Sequence, residues 1–164
     1  MHLSRASFLS YMRNFIFGAE DSLVSTVGLL AGIAAAGTEK REIVIAGLVL
    51  ITVEAFSMGI GSYLSERSLS DSESKDGERK TIVGALIMLL SYALAGFIPL
   101  SPYLFLPIDI ASNTSIGATL ASLFLLGIIS ARALKTNVLK NAFRLLFFGG
   151  IASLLGIAVG IALK

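Results

Sequence analysis

Five long apolar runs, separated by short polar segments, restrict this chain to folds built in a lipid bilayer. The runs lie at about residues 15–36, 43–64, 81–98, 115–131 and 145–163, each close to the roughly 20 residues an α-helix needs to cross the hydrocarbon core. A helix is the natural form for such a run, because it satisfies its own backbone hydrogen bonds where no water is available. The expected fold class is therefore an all-α membrane protein with five transmembrane helices in a single domain over residues 15–164. Composition agrees, since 15% of the residues are charged against about a quarter in a soluble domain.

The placement of charge orients the bundle. Five spans put the termini on opposite sides of the membrane. Ten of the 13 Lys and Arg residues (Arg5, Arg13, Arg67, Lys75, Arg79, Lys80, Arg132, Lys135, Lys140 and Arg144) fall on the side of the N-terminus, leaving Lys40, Arg41 and Lys164 opposite. Positive segments are retained in the cytoplasm during insertion, which predicts a cytoplasmic N-terminus and a C-terminus outside. Residues 3–14 mix Leu3, Phe8, Leu9 and Met12 with Ser4, Arg5, Ser10 and Arg13; this pattern suits an amphipathic helix over residues 1–14 lying in the interface. No short apolar core with a small-residue cleavage site precedes it, so a cleavable signal is not expected. An integral protein of a prokaryotic cytoplasmic membrane is the expectation, or of a vacuolar membrane if the source is eukaryotic.

Several kinds of chemistry are excluded at once. The chain has no cysteine and a single histidine, His2, at its extreme start. Disulfides, thiolate metal sites and histidine clusters are therefore ruled out. No nucleophile–base pattern points to an enzyme, and neither a cofactor nor nucleic acid is expected. The segment 65–80 mixes five acids with four bases. It begins Asp71-x-Glu73 like a calcium loop, but its sixth and twelfth positions are Asp76 and Ile82 rather than Gly and Glu. It reads as a solvated linker. Pro99, Pro102 and Pro107 mark the end of the third helix, since proline lacks an amide donor.

Chemistry concentrates in the first two spans. Glu20 and Asp21 lie early in the first, and Glu54 lies inside the second with Met58 one turn away. Ionisable groups at such depth are costly and usually mark an ion or proton pathway. At about 1.5 Å per residue, Asp21 on the ascending helix and Met58 on the descending one reach similar depth. Asp21, Glu54 and Met58 can then line one cavity, with Ser25, Ser57 and Ser62 beside them. Carboxylate oxygens with a thioether suit a divalent transition ion better than Mg2+ or Ca2+. A carboxylate is also a proton site, so proton and metal would compete for it. Taken singly, Glu20 also reads as a carboxylate at a helix start and Met58 as ordinary packing. Gly28 and Gly32, like the glycines of the fifth span, permit close helix approach either within a protomer or between two.

At these residues the sequence resembles the vacuolar iron transporter family. Gly18-Ala19-Glu20-Asp21-Ser22-Leu23-Val24-Ser25-Thr26 is similar to its Gly-Ala-Asn-Asp-Gly-Leu-Val-Ser-Thr signature, and Ser57-Met58-Gly59-Ile60-Gly61-Ser62-Tyr63-Leu64-Ser65 to its Ser-Met-x-x-Gly-Glu-Tyr-x-Ser. Gly96-Phe97-Ile98-Pro99-Leu100 and Gly149-Gly150 also match. The resemblance implies a homodimer of five-helix protomers, with helices one and two lining a path between subunits. It implies export of cytosolic Fe2+, with Mn2+ as a second substrate, in exchange for protons. Asp21 matches the family's helix-one carboxylate and Met58 its helix-two methionine. The chain departs from the pattern at Leu50, where an acid is frequent, and at Ser62, where Glu is usual. Its short 65–80 segment also leaves no room for the glutamate-rich domain that many members carry between helices two and three. The metal-ligand set expected is Asp21, Glu54, Met58 and Glu20, with Ser25, Ser57 and Ser62 lining the path. Two other readings stay open: a metal-binding or structural membrane module without transport, and a proton-coupled carrier of another solute.

Overall fold

The computed structural model describes residues 5–69 and 75–164, which form five helices and no strand. They are α1 (Arg5–Ala35), α2 (Lys40–Leu69), α3 (Lys75–Phe105), α4 (Ile108–Leu134) and α5 (Val138–Ala162). All five are long and apolar enough to cross a membrane. Large apolar side chains such as Phe56, Leu94, Phe105, Phe147 and Leu154 lie exposed around the bundle, where lipid rather than water is the favourable neighbour.

The helices outrun the apolar segments that predict them. A helix of about 30 residues spans roughly 45 Å, the thickness of a bilayer with its headgroup regions, so charged turns continue the helix beyond the hydrocarbon. The expected linker at 65–80 is accordingly mostly helix, α2 running to Leu69 and α3 starting at Lys75. Its Asp71 and Glu73 lie outside the described residues, as does His2. Likewise Arg5–Asn14 is continuous with α1, and most of the basic stretch 132–144 belongs to α4 and α5.

The third helix does not stop at Pro99. It passes through Pro99 and Pro102 to Phe105, and α4 begins at Ile108 rather than near Ser115. Each proline removes one amide donor and frees the carbonyl four residues earlier. The carbonyl of Ile98, freed by Pro102, accepts from Ser101 Oγ at 3.0 Å. Pro99 is itself tied to α4, its carbonyl accepting from Ser115 Oγ at 2.7 Å. Side chains of this kind are what let proline persist inside a membrane helix.

Two turns are closed by left-handed residues. Gly37 has φ 87°, with its own amide bonded to Ala34 O and the Thr38 amide to Ile33 O, a glycine-terminated helix end. Lys135 plays the same part after α4 at φ 54°, and Asn137 then caps α5 by accepting from the Lys140 amide at 3.0 Å.

α1 and α3 form the centre. α1 packs along α3 and α5, α2 lies mainly on α3, and the direct α1–α2 contact is slight. The α1–α5 seam is built on glycine. A Cβ on Gly32 would lie 2.7 Å from Gly156 O, while Cβ atoms on Gly156 and Gly160 would press on the carbonyls of Gly28 and Gly32. The Gly28/Gly32 spacing therefore serves packing within the protomer. α2, by contrast, keeps most of its surface exposed, including Ser57 and Gly61.

Candidate functional site

The carboxylates that interrupt the apolar runs all lie on α1 and α2. On α2, Glu54, Met58, Ser62 and Glu66 repeat every four residues and so fall on one face; all four are half-buried. On α1, Asn14 meets this stripe near one end, donating from Nδ2 to Ser62 Oγ at 3.2 Å and to Glu66 Oε1 at 3.4 Å. Asp21 lies two turns further along α1, roughly 10 Å on. In the antiparallel register set by Asn14, that is the level between Glu54 and Met58.

Asp21 and Glu54 are within electrostatic reach of one another across the α1–α2 gap. Both also act on Tyr92 of α3. Tyr92 has 0% of its surface exposed, and its hydroxyl shares a hydrogen bond with Ser25 Oγ at 2.9 Å. Ser22 Oγ donates to the Tyr92 carbonyl at 2.7 Å. The small hydroxyls of the α1 motif thus fasten α3 behind the Asp21–Glu54 pair.

The other expected residues are distributed differently. Met58, Ser57 and Ser62 line a cavity of about 540 Å3 between α1, α2 and α3, together with Asn14, Glu66 and Met88; Asp21 and Glu54 are not on its wall. Glu20, one residue from Asp21 and so turned about a quarter of the way round the helix, interacts with Arg144 of α5. Ser25 borders the apolar groove between α1 and α5. The expected set therefore divides into a carboxylate pair, a thioether-lined cavity, and Glu20 within electrostatic reach of Arg144 on α5. Among the described residues, no group of three or more His, Asp and Glu is placed to hold a metal ion.

Tyr92, Asn14, Glu66 and Met88 join the site without having been singled out from sequence. Glu66 had a readable sign, its place four residues after Ser62 on the Glu54–Met58 stripe. Tyr92 and Met88 had none, because only the packing of α3 against α1 and α2 brings them there.

Comparison with known proteins bears on the whole chain. The profile of the VIT family matches residues 12–83 and 75–161. The two matched segments meet at the start of α3. Vacuolar iron transporter 1 of Tulipa gesneriana is 24% identical over 215 aligned positions, covering 93% of this chain and 87% of the relative. Vacuolar iron transporter 1 of Arabidopsis thaliana is 23% identical, covering 87% of this chain and 82% of the relative. Vacuolar iron transporter homolog 4 of Arabidopsis thaliana is 28% identical over 155 positions, covering 87% of the chain and 78% of the relative. The 215 positions of the tulip alignment exceed this chain's 164 residues, so that relative carries inserted residues with no counterpart here.

Proposed function

Because the chain belongs to the VIT family, we propose that it is a proton-coupled exporter of divalent transition metal, with Fe2+ the first substrate and Mn2+ the second. The observation that carries this reading is the register set by Asn14 on Ser62 and Glu66, which brings Asp21 of α1 level with Glu54 and Met58 of α2 inside two helices of membrane length. Two carboxylates that approach one another in a medium of low dielectric repel strongly. A dication arriving between them, or protons taking its place, relieves that repulsion. Alternate occupation by metal and proton is the coupling. Tyr92, locked by Ser25 and Ser22, positions the pair from behind, and Glu20 serves Arg144 as a charge partner at the edge of the path.

The path runs along α1 and α2 at the interface of a homodimer. Two carboxylates are few ligands for one ion, and a second copy across a two-fold axis doubles them. One surface open to that contact is α2. Ser57 and Gly61 are exposed on it with small-xxx-small spacing, and a Cβ on Gly61 would meet nothing within 4 Å. The distribution of Lys and Arg supports a cytosolic N-terminus, with the first turns of α1 in the interface.

Reconstituted protein, loaded with a proton gradient across the vesicle membrane, tests the reading by Fe2+ and Mn2+ uptake. Wild type is expected to accumulate metal and to stop when the gradient is collapsed. Asp21→Asn with Glu54→Gln is expected to lower the rate at least about tenfold. Equal rates in wild type and the double variant would remove the pair from the mechanism. Metal binding without flux would identify a binding module instead.

A further inference from the structure

Glu66 is held by three side chains of α1 and seated in a space left by a glycine of α3. Its Oε1 accepts from Ser10 Oγ at 3.0 Å, Asn14 Nδ2 at 3.4 Å and Arg13 at 3.5 Å, all on α1. Asn14 is only 2% exposed. On the α3 side stands Gly84, where a Cβ would lie 2.9 Å from Asn14 Nδ2 and 3.2 Å from Glu66 Oε2. The missing side chain is the space that the amide and carboxylate fill. The Glu66 side chain is left 21% exposed, on the wall of the cavity shared with Met58, Ser62 and Met88.

Its position along α2 gives this recess a use. Glu66 begins the stripe that runs through Ser62 and Met58 to Glu54, roughly 18 Å at 1.5 Å per residue. The cation facing it is Arg13, whose side chain is 71% exposed. An ion pair so open to solvent is weak, and a dication of higher charge density displaces the guanidinium. Oxygen donors from Glu66 and Ser62, followed by the thioethers of Met58 and Met88, favour a transition ion over Mg2+ or Ca2+.

On the transport reading above, we propose that Glu66 is the carboxylate that first receives the incoming divalent cation, in a station separate from the Asp21–Glu54 pair, with Arg13 as the resident cation that must be displaced. Arg13 keeps the mouth neutral when no metal is bound. The cation then passes Ser62 and Met58 on its way to the pair.

Co2+ uptake by the full chain in proteoliposomes tests the station. Glu66→Gln is expected to raise the half-saturating Co2+ concentration about tenfold while the maximal rate changes less than about twofold, and Arg13→Gln to lower half-saturation about threefold. Unchanged half-saturation in Glu66→Gln overturns the proposal. So does a rise in Arg13→Gln matching that in Glu66→Gln, the mark of a helix clasp alone. Should Glu66→Gln not fold, Gly84→Ala, which crowds Oε2 without removing it, replaces it with the same expected rise. If wild type moves none of Co2+, Fe2+ and Mn2+, the transport reading falls and calorimetric Co2+ titration of the purified protein decides on Glu66. One binding site fewer in Glu66→Gln upholds the station, and an unchanged number overturns it.

Discussion

Tyr92 shows how a single side chain ties the carboxylates to the scaffold. Its ring is buried and its hydroxyl bonds Ser25 next to Asp21 and Glu54. Tyr92→Phe keeps the packing and removes one hydrogen bond, so stability should fall by about 0.5–1.5 kcal/mol. If Tyr92 also positions the pair, the metal uptake rate should drop several-fold while half-saturation holds. A loss of stability with unchanged uptake would restrict it to packing. Asp21 and Glu54 stand out in the sequence as candidates because charge inside an apolar run is costly and rise per residue sets depth. Tyr92 was not legible, since a tyrosine in a span gives no sign of which helix it will touch. Met58 was read as sharing one cavity with Asp21 and Glu54, and the structure shows it on the wall of a cavity that those two carboxylates do not line; depth alone does not resolve a rotation about the helix axis.

The helices reveal where apolar patterning succeeds and where it stops. All five spans were readable, because a run of bilayer length has few alternatives. Their ends were not, because charged turns such as those of Lys75–Lys80 stay helical once past the hydrocarbon. Pro99 and Pro102 misled for a different reason. Proline breaks a helix in water, but here Ser101 and the α3–α4 contact at Ser115 hold the carbonyls around the two prolines. The glycine pairs of α1 and α5 allowed two interpretations, and the direct seating of Gly156 and Gly160 on Gly28 and Gly32 assigns them to the protomer. Gly156→Val should therefore force α1 and α5 apart at a cost of about 1–3 kcal/mol. The readout is the thermal midpoint in detergent, with Gly150→Val as the control, since a Cβ there meets nothing within 4 Å. Equal shifts in the two variants would contradict the seam.

At the scale of the whole molecule, the bundle is centred on α1 and α3 and leaves much of α2 uncovered, with small polar residues on its open side. An α2 that leaves Ser57 and Gly61 exposed to lipid beside half-buried Glu54 and Met58 would be costly, and the proposal of a second copy against it rests on that. The absence of cysteine makes the test direct: Ser57→Cys or Gly61→Cys should form a symmetric cross-linked dimer in native membranes, whereas a cysteine at Leu154, exposed on α5, should not. Cross-linking at Leu154 and none on α2 would move the interface to α5.

The pairing of Asp21 with Glu54 around a passing dication is tested most directly by anomalous diffraction from crystals soaked in Fe2+, Mn2+ or Co2+. The anomalous peak is expected between the two carboxylates, with at least one oxygen from each side chain at about 2.0–2.3 Å, the usual range for such ions. A bound ion with neither Asp21 nor Glu54 among its ligands would contradict it.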